Sequence, residues 1–188
     1  MELGILGLSN SVTISEVAMT DVRLSLVDGT LALLSAAVAG DRALETLLDV
    51  SVADEWAGFP EALHMIRESY RTSPDGQRWG SLFFVDPRLR MLVGFGGFKG
   101  PPSSDATVEI GYAIAPAFRG QGLATEAVAQ MVRRAFDDAT IRAVDAHTLG
   151  QMNPSTRVLQ KSGFQRIAEL DDPNDGLIWR WRRERVAS

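Results

Sequence analysis

The run Arg119-Gly120-Gln121-Gly122-Leu123-Ala124 sets two closely spaced glycines between two segments of different period. Before it, Val108, Ile110, Tyr112 and Ile114 alternate with other residues and predict a strand, which Pro116 stops. After it, Leu123, Ala127, Met131 and Ala135 recur at helical spacing. A strand that feeds a glycine turn opening a helix leaves unpaired N–H groups at the positive end of the helix dipole. Such a turn holds phosphate, and glycine lets the backbone come close to the ligand. The chemistry to expect is therefore the capture of a phosphate-bearing ligand.

Two common phosphate signatures fail. A P-loop needs a lysine and a serine or threonine after its second glycine. The nearest fragment, Gly94 to Gly100, has the wrong spacing and lies between two predicted strands. A dinucleotide fingerprint needs a third glycine where Thr125 stands, and the elements before it are not repeated βαβ units. Other chemistries are closed as well. With no cysteine there is no disulfide, thiolate metal site or cysteine nucleophile. The only histidines, His64 and His147, are too far apart for a helical zinc pair, so no metal is expected and both read as packed or surface residues.

The elements that must position the turn follow from periodicity and punctuation. Asp21 to Val27 reads as a strand, Thr30 to Ala39 as a buried helix, and Arg42 to Leu48 as a short helix capped by Asp41. Ser51 to Phe59 reads as a loop, and Glu61 to Arg71 as a helix after Pro60. Ser73 to Gly76 is a turn. Trp79–Val85, Met91–Phe98 and Thr107–Ala115 form an antiparallel meander, followed by the helix Gln121–Asp137. Then come the strand Ile141–His147, the helix Asn153–Ser162 ended by Gly163, and the strands Phe164–Leu170 and Leu177–Arg185. This is a single α+β domain over residues 20–185, with residues 1–19 as an extension.

Bulk properties agree. A chain of 188 residues with 45% hydrophobic content supports one well-buried core. A net charge of −5 argues against a nucleic-acid partner. No apolar run is long enough to span a membrane, and Met1 to Leu8 lacks a basic start, so a cytoplasmic location is expected.

The glycine run matches the arginine/glutamine-x-x-glycine-x-glycine/alanine signature of GNAT-type N-acetyltransferases. Its neighbours extend the match: Val108-Glu109-Ile110-Gly111-Tyr112, Ala124-Thr125-Glu126-Ala127, Gly97 to Pro102, and Asn153 to Phe164. Together they resemble the branch of bacterial ribosomal-protein N-terminal acetyltransferases (RimJ/RimL-like), over about residues 20 to 182. The resemblance implies a GNAT-like fold: a mixed, mostly antiparallel central sheet with helices on both faces. It also implies acetyl-CoA as co-substrate. The pyrophosphate would lie on Arg119, Gly120, Gln121, Gly122, Leu123 and Ala124, and the pantetheine arm along Tyr112, Ala113 and Ile114. Asn153 is associated with the coenzyme in this branch, but here it stands one position from the usual spacing and equally suits a helix N-cap with Pro154 after it. With the aromatic last strand, the resemblance also points to a homodimer.

The implied reaction is direct acetyl transfer to a primary amine. Glu109 is the candidate general base, acting directly or through water; its other reading is to orient the amine or pair with a cation. Alternation does not say which sheet face it occupies. Ser155 is the candidate proton donor to the thiolate, and serine also suits the first turn of a helix. An α-amine titrates near ~8 and a lysine amine near ~10.4, a difference of roughly 3 kcal/mol in deprotonation. A peptide N-terminus is therefore the favoured acceptor. A small-molecule amine, or a non-catalytic acyl-CoA sensor, are the other readings.

Overall fold

The computed structural model describes residues 23–72 and 78–186. The extension over 1–19 and the Ser73–Gly76 turn lie outside them. In chain order the elements are β1 (Ser25–Asp28), α1 (Leu31–Ala39), α2 (Asp41–Leu48), β2 (Ser51–Val52), α3 (Ala62–Thr72), β3 (Ser81–Asp86), β4 (Met91–Phe98), β5 (Thr107–Ile114), α4 (Leu123–Phe136), β6 (Ala143–Leu149), α5 (Pro154–Lys161), β7 (Gln165–Asp172) and β8 (Gly176–Glu184). The sheet runs β1-β3-β4-β5-β6-β8-β7, antiparallel except for the β5–β6 pair and the short β2, which lies parallel to β4. The sheet is mixed and mostly antiparallel, as in the GNAT fold.

Alternation along the strands sends side chains into two cores. Leu82 and Phe84 of β3 join Val108 and Ile110 of β5 under α4 and α5; Phe83 and Val85 join Leu92 and Phe95 of β4 under α1, α2 and α3. Helix α4 buries Leu123, Ala127, Val128, Met131, Val132 and Ala135, the stripe read from the sequence. Each fully buried leucine, valine or methionine of this stripe contributes about 1.5–3 kcal/mol.

Three local readings are corrected. Residues 51–52 form β2 rather than loop, because Ser51 N and Ala53 N donate to Arg90 O and Leu92 O. Gly40, not Asp41, caps α2, with no side-chain cap bond; the Asp41 carboxylate instead accepts from Trp56 Nε1 at 3.0 Å. Strand β6 begins at Ala143 rather than Ile141, and Ile141 closes a turn by donating its N–H to Asp138 O. The aromatic last strand keeps its rings within the chain. Trp181 is buried with Nε1 bonded to Thr148 Oγ1, and Arg166 stacks on Trp179.

Candidate active site

The parallel ladder between β5 and β6 stops at the rung Ile110–Ala146. Beyond it, β5 continues to Ile114 against β4, and β6 to Leu149 against β8. The sheet therefore opens into a fork between Gly111–Ile114 and His147–Leu149. On the other side of β5, β4 carries a bulge: Phe84 faces Gly94 but Val85 faces Leu92, so Val93 is the extra residue. Lys99 N donates to Glu109 O, and Ala115 N to Val93 O, so Glu109, Gly111 and Ala113 turn their backbone groups towards β4. By the alternation of an antiparallel ladder, the N–H groups of Tyr112 and Ile114 point into the fork.

The glycine turn sits at the end of that fork. Arg119 Nε donates to Ile114 O at 2.9 Å and ties the turn to the strand. Gly120 (φ 76°) and Gly122 (φ 83°) adopt the left-handed conformation that glycine takes without strain. Gly122 caps α4 with no side-chain bond, and no N–H from Gly120 to Thr125 is hydrogen-bonded within the described residues. A row of free donors at a helix N-terminus, with open space where a Gly120 Cβ would stand, fits a pyrophosphate. Arg23 braces the turn from outside. Its Nη1 donates to Gln121 O at 3.0 Å, and its Nε lies 3.5 Å from Glu126 Oε2. Glu126 in turn accepts from Leu24 N.

Across the fork, Asn153 caps α5. Its side chain accepts from Thr156 N, Thr156 Oγ1 accepts from Asn153 N, and Pro154 occupies the first turn. The carbonyl oxygen of the Asn153 side chain is thus engaged in the capping box. Ser155 lies in the first turn, half-buried, and its backbone oxygen accepts a long 3.4 Å bond from Tyr112 Oη. Burial pushes the Tyr112 phenol well above its ordinary range, so it stays protonated and serves as a donor.

Glu109 occupies the face opposite Ile110 and Tyr112. Its Oε1 meets Lys99 Nζ at 2.6 Å and His147 Nδ1 at 2.9 Å. Burial raises the Glu109 carboxyl, but the hydrogen bonds and charges of Lys99 and His147 outweigh it and hold the group below the usual carboxylate range. Beside it, Asp145 on β6 is buried and accepts from both Arg180 and Arg182. Gly58 (φ 70°) packs over Ala113 so closely that an added Cβ would overlap the Ala113 methyl, bringing the β2–α3 loop onto the same face of β5. Of the loop and strand aromatics, Trp56, Trp79 and Phe98 are core, whereas Phe59 is exposed. Among the described residues no cluster suits a metal ion, and no helix is long and apolar enough to cross a membrane.

The sequence reading missed Arg23, Lys99 and His147. A signal was available for His147: it shares the parity of Asp145, the rung partner of Glu109. It becomes visible only once β5 and β6 are known to be neighbours.

Depressed carboxyls make stability acid-sensitive. Asp86 is a second case: burial raises it, and bonds from the Arg88 side chain and the backbone of Leu89 and Arg88 outweigh this. A group whose folded pKa lies below its unfolded value stabilises fully above the latter, near ~4 for carboxylates, and loses that contribution as pH falls through the folded value. Melting temperature should hold from pH 7 to about 5 and then fall, and Glu109→Gln should shrink the fall. An equal fall in the variant would deny Glu109 any share.

The sequence profile described as an acetyltransferase (GNAT) domain matches residues 34–165, more than half of the chain. An uncharacterized N-acetyltransferase of Bacillus subtilis, YjdG, is 28% identical over 145 residues, covering 76% of this chain and 85% of that one. Among the solved structures that share the fold are two acetyltransferases. A ribosomal-protein-S5-alanine acetyltransferase from Vibrio fischeri aligns with TM-score 0.63 and 15% identity over 90% of this chain and 97% of its own. A spermidine N-acetyltransferase from Vibrio cholerae, in complex with CoA and spermine, aligns with TM-score 0.63 and 15% identity over 86% and 95%. With its profile match, its glycine turn of free donors and its forked sheet, the chain belongs to the GNAT acetyltransferase family and is an acetyl-CoA-dependent acyltransferase.

Proposed function

We propose that this chain acetylates the N-terminal α-amine of a peptide or protein, in the manner of the RimJ/RimL-like branch. The observation that carries the choice of acceptor is the charge on the amine side of the fork. Its two central carboxylates are already matched by cations, Glu109 by Lys99, and Asp145 by Arg180 and Arg182. A polyamine needs surplus negative charge to offset its several ammonium groups, and neither of these two carboxylates is spare for it. A mono-amine of modest basicity suits it better, and an α-amine also costs less to deprotonate than a lysine.

In this reading the N–H groups of Gly120 to Thr125 hold the pyrophosphate, and those of Tyr112 and Ile114 pair with the pantetheine arm and the thioester oxygen. The amine enters from the Glu109 face. Its nitrogen lone pair forms the C–N bond while the C–S electron pair leaves with sulfur. The nitrogen sheds one proton towards the Glu109 side of the fork. The thiolate gains one from the α5 side, where Ser155 is the candidate donor. Amide and thiol result, without a covalent enzyme intermediate.

The test is coenzyme A release over an acceptor panel. Peptides with free N-termini should turn over. Spermidine, aminoglycosides and N-terminally blocked lysine peptides should react at least ~30-fold more slowly. Faster turnover with spermidine than with any peptide would overturn the acceptor assignment. Preference for a small mono-amine would move it to metabolite or drug acetylation.

A further inference from the structure

We propose that His147 is the proton acceptor of the transfer, taking the amine's proton on Nε2 while Glu109 holds its Nδ1–H. The proposal rests on the acetyltransferase reading and deepens it, since the family signature itself points to Glu109 and leaves this histidine without a role.

The geometry speaks against Glu109 as the terminal base. One of its oxygens already receives both Lys99 Nζ and His147 Nδ1. An ionised carboxylate only accepts hydrogen bonds, so the hydrogen in the 2.9 Å contact belongs to Nδ1. A neutral imidazole so fixed carries its lone pair on Nε2, and Nε2 meets no hydrogen-bonding partner among the described residues. His147 is also the first residue of β6 beyond the last paired rung. It therefore stands where the fork begins to open, on the face of Glu109, with its side chain 23% exposed. In the proposed function the amine enters from the Glu109 face, and His147 shares that face.

Charged groups from each neighbouring strand surround it. Glu109 lies on β5, and Lys99 follows β4. Asp145 on β6 is committed to Arg180 and Arg182, and Arg180 on β8 is the rung partner of His147. Asp172, at the end of β7, feels the charges of both His147 and Lys99. Glu109 and Asp172 bring negative charge to the neighbourhood of the imidazole, and Lys99 and Arg180 bring positive charge. His147 is then the catalytic residue and Glu109 a positioning residue, the division of labour between base and orienting carboxylate seen wherever a carboxylate fixes an imidazole tautomer. The balance is one proton from nitrogen to Nε2, one to the departing thiolate, and later return of the first to solvent.

Two measurements decide it. His147→Gln keeps a donor for Glu109 but has no comparable base, so kcat with acetyl-CoA and a free-N-terminus peptide should fall about 100-fold, with acetyl-CoA affinity unchanged. The ratio of wild-type to variant kcat should rise between about pH 5 and 8, where an imidazole changes charge; taking the ratio cancels the titration of the substrate amine. A loss below threefold, or a flat ratio, overturns the proposal. Independently, the 15N shifts of the imidazole ring should place the hydrogen of neutral His147 on Nδ1 in the wild type and on Nε2 in Glu109→Leu, which offers no acceptor. With two histidines in the chain, the His147→Gln spectrum makes the assignment. A wild-type hydrogen on Nε2 overturns the proposal whether or not turnover is seen. Failure of the acetyltransferase reading looks different: wild-type protein that gains no thermal protection from acetyl-CoA and releases no coenzyme A with any amine.

Discussion

Gly122→Glu is expected to weaken acetyl-CoA binding by about 1,000-fold while leaving a folded protein. Gly122 stands at the N-terminus of α4 with φ 83°, among donors that have no partner within the described residues. A carboxylate there lies within several ångströms of any bound pyrophosphate. At roughly 5 Å and an effective dielectric near 20, each like-charge pair costs about 3 kcal/mol, and a pyrophosphate presents two charges. A Cβ at this position comes within 3.3 Å of Arg23 Nη2, so the new side chain also recruits Arg23 and draws it from Gln121 O. Gly122→Ala separates the effects. It retains the left-handed strain, about 1–2 kcal/mol, but adds no charge. It should lower the melting temperature by a few degrees and change affinity only a few-fold. A folded Gly122→Glu protein with wild-type affinity by calorimetry would put the pyrophosphate elsewhere.

How much of this was legible in advance follows from how far each feature reaches along the chain. The strand–turn–helix around Gly122 was legible because period, proline and glycine are local signals. Strand β4 and the stripe of α4 emerged with the expected residues for the same reason. What failed depends on partners distant in sequence. Two residues made a strand of β2 only because Arg90 and Leu92 offered their carbonyls. Whether Asn153 served as a cap or faced a ligand turned on the return bond from Thr156, which spacing alone left open. The face of Glu109 was undetermined because alternation gives parity without direction; Lys99 and His147 fix it. The fork itself, where the β5–β6 ladder stops, is a property of neither strand by itself.

The same reasoning singles out Asp145, a residue with no place in any signature. It is 3% exposed and accepts four hydrogen bonds, two from Arg180 and two from Arg182. Asp145→Ala leaves Arg180 without its carboxylate, and Arg182 with only a 3.6 Å contact to exposed Asp105, on a half-buried sheet face. Removing one member of a buried ionic set costs about 3–5 kcal/mol. Because Arg180 and Arg182 retain some access to water, the lower end applies, roughly a 6–12 °C drop in melting temperature for a chain of this length. Asp145→Asn keeps the shape and one acceptor, and should fall between alanine and wild type. The effect also reaches the site. Asp145 is the rung partner of Glu109, and Arg180 that of His147. Without Asp145, Arg182 keeps its contact with Asp105, whereas Arg180, the rung partner of His147, is released to turn to Glu109, and a guanidinium that takes it competes with Nδ1 of His147. The folded Asp145→Ala protein should therefore lose kcat, measured well below its melting point, with acetyl-CoA affinity retained. A melting temperature within 2 °C of wild type would show that the arginines are satisfied by water and, for Arg182, by Asp105. Retained kcat in the folded variant would show that the Glu109–His147 contact stands without its neighbour.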